Sequence, residues 1–226
     1  MGIFNENNFL SRALLKLWDL VLTNLLFILC SIPLVTLGAS FTAMHHCTLR
    51  IVKGNNPGTL KTFFRAFKEN FKQSTIVWLG TVVIAYILYL DITFLNSQDG
   101  MLASILFSLT VAMVIILVII SLFIYPVIAA FEGTLKMHIK NSFIFTARNF
   151  FKAILMFIVW TFPLATTYID VQLQPLYVFC WFFFLFSTLA YINSFMLYKI
   201  FKPYLGDDEP DETERFFDDD GQAYLP

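Results

Sequence analysis

The chain predicts an all-α fold, a polytopic transmembrane helix bundle, and three observations lead there. Of its 226 residues, 58% are hydrophobic and only 14% are charged. A soluble domain carries roughly 25% charged residues, because its surface must face water. Long apolar runs recur between short, polar turn segments. Lys and Arg are confined to alternate connections between those runs, the asymmetry expected of a multi-pass chain. Lipid is thus the expected solvent for most of the side chains.

Residues 24–50, an apolar helix, a Pro33/Gly38 break and a second apolar helix with a His pair, form the stretch around which the rest is arranged. The first apolar helix is expected over 10–32, with Arg12 and Lys16 where it begins and Trp18 suited to the water–lipid boundary. Pro33 breaks it and Gly38 permits a reversal. The second helix, 36–52, is at the lower limit for crossing about 30 Å of hydrocarbon. Residues 54–58, GNNPG, read as a turn.

The segment 59–73 differs in kind. Lys61, Arg65, Lys68 and Lys72 fall on one helical face and Phe63, Phe64, Phe67 and Phe71 on another, the pattern of a basic amphipathic helix lying among lipid headgroups. A span over 74–95 comes next, then a loop at 96–100 without Lys or Arg. The longest apolar run is 101–131, with a kink expected at Pro126. A second basic helix is expected over 133–152, carrying Lys136, Lys140, Arg148 and Lys152, with Glu132 placed to pair with Lys136. Spans over 153–169 and 176–198 flank a second cation-free loop at 170–175.

The Lys/Arg bias places the two basic segments, and with them both termini, on the cytoplasmic side of a plasma membrane. An even number of crossings results. A complete first hairpin gives six; a hairpin that dips in and returns gives four plus a re-entrant element. The sequence GTLK occurs at 58–61 and again at 133–136, each time opening a basic helix, which raises a parallel structural duplication as one interpretation.

The hairpin has a register of its own. Folded between Leu34 and Val35, it would set Asn24 opposite His45 or His46 near mid-depth, and Asp19 opposite Arg50 near the cytoplasmic boundary. Buried polar groups in hydrocarbon need such partners, each interhelical hydrogen bond contributing roughly 0.6–2 kcal/mol.

Residues 1–205, which hold 14 of the 15 Lys/Arg, are expected to form one membrane domain. Residues 206–226 hold nine of the 16 acids and are expected to be a disordered cytoplasmic tail, either plainly solvated or carrying a short binding motif at Phe216-Phe217. The N-terminal apolar run reads as an uncleaved first span, because the chain beyond it would remain mostly membrane-spanning after cleavage. Glu6 stands where myristoylation needs Ser or Thr. Cys30, Cys47 and Cys180 lie inside apolar segments without paired spacing, against a disulfide framework.

Catalytic patterns are not found: the chain has no HExxH, CxxC, GxSxG or Gly-rich phosphate loop. His45 and His46 are adjacent and point about 100° apart on a helix, poorly placed for one metal. No enzyme activity, cofactor, metal site or nucleic-acid partner is expected. The acidic residues of the apolar part, Asp19, Asp91, Glu132 and Asp170, fall near boundaries and not at mid-depth, against a proton-driven pump. The basic Phe-rich helices suit either anionic lipid or a cytoplasmic partner subunit.

A set of short stretches resembles one family. Trp18-Asp19-Leu20, Asn24-Leu25-Leu26, Cys30-Ser31-Ile32-Pro33-Leu34-Val35-Thr36-Leu37-Gly38-Ala39 and Thr42-Ala43-Met44 are similar to the start of the YesL-type membrane proteins of Gram-positive bacteria. Phe71-Lys72-Gln73-Ser74, Tyr125-Pro126 and Lys140-Asn141-Ser142-Phe143 fit as well, so the resemblance spans about 1–205. It implies a multi-pass plasma-membrane protein of unknown activity, encoded often beside carbohydrate-uptake genes. Two functions from different classes are expected: a non-enzymatic accessory to an ATP-driven sugar importer, or an independent small-solute carrier or channel lined by Asn24, His45 and His46.

Overall fold

The computed structural model describes residues 9–54 and 58–205, and every regular element in it is helical. In chain order these are α1 (Phe9–Ser31), a 3₁₀ turn (Leu34–Thr36), α2 (Leu37–Lys53), α3 (Thr59–Asn96), α4 (Met101–Ala130), α5 (Leu135–Arg148), α6 (Phe150–Ile169), α7 (Gln174–Cys180), a π-turn (Trp181–Leu185), α8 (Phe186–Phe201) and a second 3₁₀ turn (Lys202–Tyr204). Residues 206–226, where the acidic tail was expected, lie outside the described residues.

Among the described residues, five helical stretches are long and apolar enough to cross a membrane: Ala13–Ser31, Thr59–Asn96, Met101–Ala130, Phe150–Ile169 and Gln174–Tyr204. The chain is therefore of the multi-pass membrane class. At 17 residues, α2 is not among them, yet it is the hub of the fold. It packs against α1, α3, α4 and α8, and most of its side chains are buried.

What brings α2 so close to α3 is Gly38. A Cβ built there would collide with the Ser74 carbonyl oxygen and stand 2.6 Å from Trp78 Cβ. Only glycine lets two helix backbones meet at that distance. Just before it, the Trp78 indole N–H donates to the Leu34 carbonyl at 2.8 Å, fixing the level of the hairpin turn against α3.

Three sequence expectations change. The basic segment 59–73 is not a separate helix, because nothing between Thr59 and Asn96 interrupts the backbone ladder; it is the first part of one 38-residue helix, about 57 Å long. The second basic helix ends earlier than expected, at Arg148, where Asn149 leaves helical geometry (φ −122°, ψ 39°) and α6 starts afresh. Glu132 precedes α5 in the irregular 131–134 link, so it is not helically spaced with Lys136. The ion pair seen on a basic helix is instead Arg65 with Glu69, at 4.0 Å and largely exposed.

Two clusters of buried side chains hold the bundle. One joins Phe27, Met44, Phe63 and Ala190 from α1, α2, α3 and α8. The other joins Phe123, Phe145, Met156 and Phe201 from α4, α5, α6 and α8. Phe41 joins the first of these to Tyr125 on α4, with its ring 4.9 Å from Phe27, 5.6 Å from Tyr125 and 6.1 Å from Trp160. The halves of α3 and α4 that adjoin the 96–100 loop lack such cover, and Val83, Ile87, Leu102, Ile105, Leu109 and Met113 are all exposed.

Candidate functional site: the polar hairpin core and the basic end

Asn24 is fully buried, and its amide is spent on the last membrane helix. Its Nδ2 donates to the Trp181 carbonyl (3.0 Å) and the Phe182 carbonyl (2.7 Å). Its Oδ1 accepts from the Ser187 backbone N–H at 3.0 Å. A π-turn disturbs the regular i→i−4 ladder, and Asn24 meets backbone groups within that disturbance and just beyond it. The expected meeting of Asn24 with His45 or His46 is therefore replaced: the asparagine braces the π-turn and α8, a partnership that hairpin symmetry alone could not reveal.

The histidines lie elsewhere. His46 Nδ1 is 2.9 Å from the Ala129 carbonyl of α4. His45 is 4% exposed and faces the interior. Around it runs a seam of small polar side chains: Thr42 Oγ1 is 2.8 Å from Ser74 Oγ on α3, and Thr48 Oγ1 is 2.9 Å from Ser194 Oγ on α8. The second contact sets a register between α2 and α8, which run in the same direction, and places His45 level with Tyr191, within a turn of Asn193. His45 Nδ1 and both amide atoms of the fully buried Asn193 have no protein hydrogen-bond partner. Asn193 is the residue that sequence reasoning missed. Its signal was present, an Asn-Ser pair inside an apolar span, the kind of polar intrusion that marks function or helix association.

Asp19 reaches the start of α3, where its Oδ1 accepts from Thr59 Oγ1 at 2.7 Å. Asp19 and Arg50 both lie near enough to Cys47 to act on it electrostatically, so they share one neighbourhood at the open end of the hairpin.

The cations of the two basic segments gather at one end of the bundle. Gln73 Nε2 donates to the Gly133 carbonyl at 3.0 Å, tying the end of the first basic segment to the link that opens the second. Lys61, Lys68 and Lys72 are exposed there, with Arg65 half-buried. Lys136, Lys140, Arg148 and Lys152 are exposed on α5 and the start of α6. Between them His138 is buried on α5, and that burial lowers its pKa, opposed by a hydrogen bond with the Gly133 backbone.

Level with the middle of α3, an apolar cavity of about 590 Å³ lies between the α1–α2 turn and the π-turn, lined among others by Ile28, Leu34, Phe41, Val178, Trp181 and Phe182. Among the described residues no group of three or more His, Cys, Asp or Glu is placed to hold a metal ion.

Residues 20–92 match the model of a family described as "Protein of unknown function, DUF624". The matched stretch covers α2 entirely, nearly all of α3 and the Asn24 half of α1. No curated protein and no solved structure matches the chain.

Proposed function

We propose that the chain is a non-enzymatic plasma-membrane component that works by docking a cytoplasmic partner on its basic end. The observation that carries this is the gathering of exposed Lys and Arg at one end, with the two basic segments tied through Gln73 and Gly133. The loops at the other end carry Asp99 and Asp170 and no cation. That asymmetry favours a cytoplasmic basic end. The YesL resemblance suggests the class of partner, the permease or ATPase subunits of an ATP-driven sugar importer.

The register supports four crossings plus a re-entrant α1–α2 hairpin. Its turn sits level with Trp78, six residues beyond the last cation of the basic segment, Lys72, and eighteen before the end of α3 at Asn96. Eighteen residues of helix rise about 27 Å, close to a full hydrocarbon thickness of roughly 30 Å. The exposed tip residues Ile32, Leu34 and Val35 are uncharged and suit lipid.

Purification of the full chain in mild detergent tests the docking role. Stable capture of permease or ATPase subunits, lost when Lys136, Lys140 and Lys152 are changed to Glu, is the expected result; capture indifferent to those charges sinks it. A carrier is the second reading, favoured by the unpartnered, fully buried Asn193 beside the His45 level. Solute flux in liposomes holding this chain alone, abolished by Asn193→Leu, would favour it.

A further inference from the structure

We infer that the acidic segment beyond Leu205 seats on α5 of its own chain, with Phe216 or Phe217 entering a small apolar cavity between α4, α5 and α6. The cavity is about 160 Å³ and is lined among others by Ile116, Ile119, Ile120, Phe143, Thr146 and Phe150. It is smaller than the roughly 300–1,000 Å³ typical of small-molecule sites, and its apolar lining suits one aromatic side chain. Cations frame it in the chain: Lys140 lies three residues before Phe143, Arg148 two after Thr146, and Lys152 two after Phe150, all exposed.

The chain leaves the bundle against α5. The Tyr204 ring lies 5.3 Å from the Phe145 ring, and Arg148 Nη1 donates to the Tyr204 hydroxyl at 3.3 Å. Leu205 packs against the same cluster. The eleven residues from Leu205 to Phe216 reach up to about 36 Å, while all of α5 is about 21 Å long.

Chemistry selects the occupant. The segment 206–226 carries nine acids against Arg215 alone, and Glu214 and Asp218, Asp219 and Asp220 bracket the Phe pair. An aromatic anchor flanked by carboxylates matches an apolar cavity flanked by Lys and Arg. Tethering makes the encounter intramolecular, with an effective concentration in the millimolar range, so a weak contact is occupied. The seating itself depends on neither the partner nor the side of the membrane.

Carbodiimide coupling of lysine amines to carboxylates tests it, using the purified full chain in zwitterionic nanodiscs and peptide mass spectrometry. Expected are intramolecular links from Lys136, Lys140 or Lys152 to carboxylates between 207 and 220. They should fall roughly tenfold in Phe216→Ala/Phe217→Ala, the scale of losing one buried aromatic anchor. Ala147→Trp, which introduces bulk at the cavity, should lower them likewise. Equal coupling to Lys61 and Lys72, links only between chains, or yields unaffected by the Phe changes would overturn the inference. So would links abolished by anionic lipid at low mole fraction, which would assign the face to headgroups. A failed importer pull-down with intact coupling would count against the docking role alone.

Discussion

Helix α4 reads as the most membrane-like part of the sequence, thirty residues with no charge, and α2 as far less so, 17 residues holding Ser40, Thr42, His45, His46, Thr48 and Arg50. In the folded chain their environments are the reverse of what a soluble protein would show. The first half of α4 is largely exposed, whereas α2 is buried among four helices. Lipid accounts for the difference. Hydrocarbon solvates Leu and Ile as well as a protein interior does, so apolar side chains gain little by packing on each other. Close backbone approach and polar side chains that find partners decide which helix goes inside, and Gly38, Thr42 and Thr48 supply both.

The sharpest way to break this contrast is to fill the α2–α3 contact. Gly38→Leu should cost about 3 kcal/mol or more, since overpacking a closed contact forces backbone shifts, and the loss would be read as a lowered Tm and aggregation in mild detergent. Gly80, farther along α3 with open space around its Cα, should accept Leu with little change. Equal effects at the two glycines would remove the distinction between the regions.

Next in size is the brace on the π-turn. Asn24→Leu strips partners from the Trp181 and Phe182 carbonyls and the Ser187 N–H. Each buried group left unsatisfied costs about 1–3 kcal/mol. A Tm close to that of the wild type would show that the brace is dispensable. Smaller again is the Thr48–Ser194 contact. A double-mutant cycle with Thr48→Val and Ser194→Ala should return a coupling of about 0.6 kcal/mol, and a value indistinguishable from zero would mean that the register is set by shape alone.

The gentlest effect is a pH slope at the basic end. Burial lowers the His138 pKa from its ordinary value of 6.5, so in the folded state it resists protonation. The unfolded chain therefore takes up its proton first as pH falls. Stability associated with neutral His138 is intact above 6.5 and is lost as pH drops below it toward the lowered folded value. His138→Gln should flatten the Tm-against-pH curve in that window; an unchanged slope would assign it to other groups.

Much of the fold was legible because lipid imposes strong rules on a chain. Apolar run lengths placed the spans, Pro33 and Gly38 placed the hairpin turn, and the clustered cations marked one end. Two things were hidden for physical reasons. Whether residues 59–73 bend away from the next span depends on a helix breaker, and none is present, so amphipathic pattern alone suggested a separation that the backbone does not make. The partner of Asn24 is some 160 residues distant in the chain, and the π-turn it meets leaves no periodic trace in a run of aromatic residues. Of the candidate site, the positions of the polar groups on α1 and α2 were readable, while their partners on α4 and α8 came only with the packing.

Whether the hairpin is an inserted plug or a pair of full spans is open to one direct measurement. With Cys30, Cys47 and Cys180 replaced by Ala, Val35→Cys and Gln98→Cys can each be exposed to an impermeant thiol reagent added to intact cells. A re-entrant hairpin predicts ready labelling at 98 and none at 35. Labelling of Val35→Cys as fast as that of Gln98→Cys would place the turn in outer water and contradict the account.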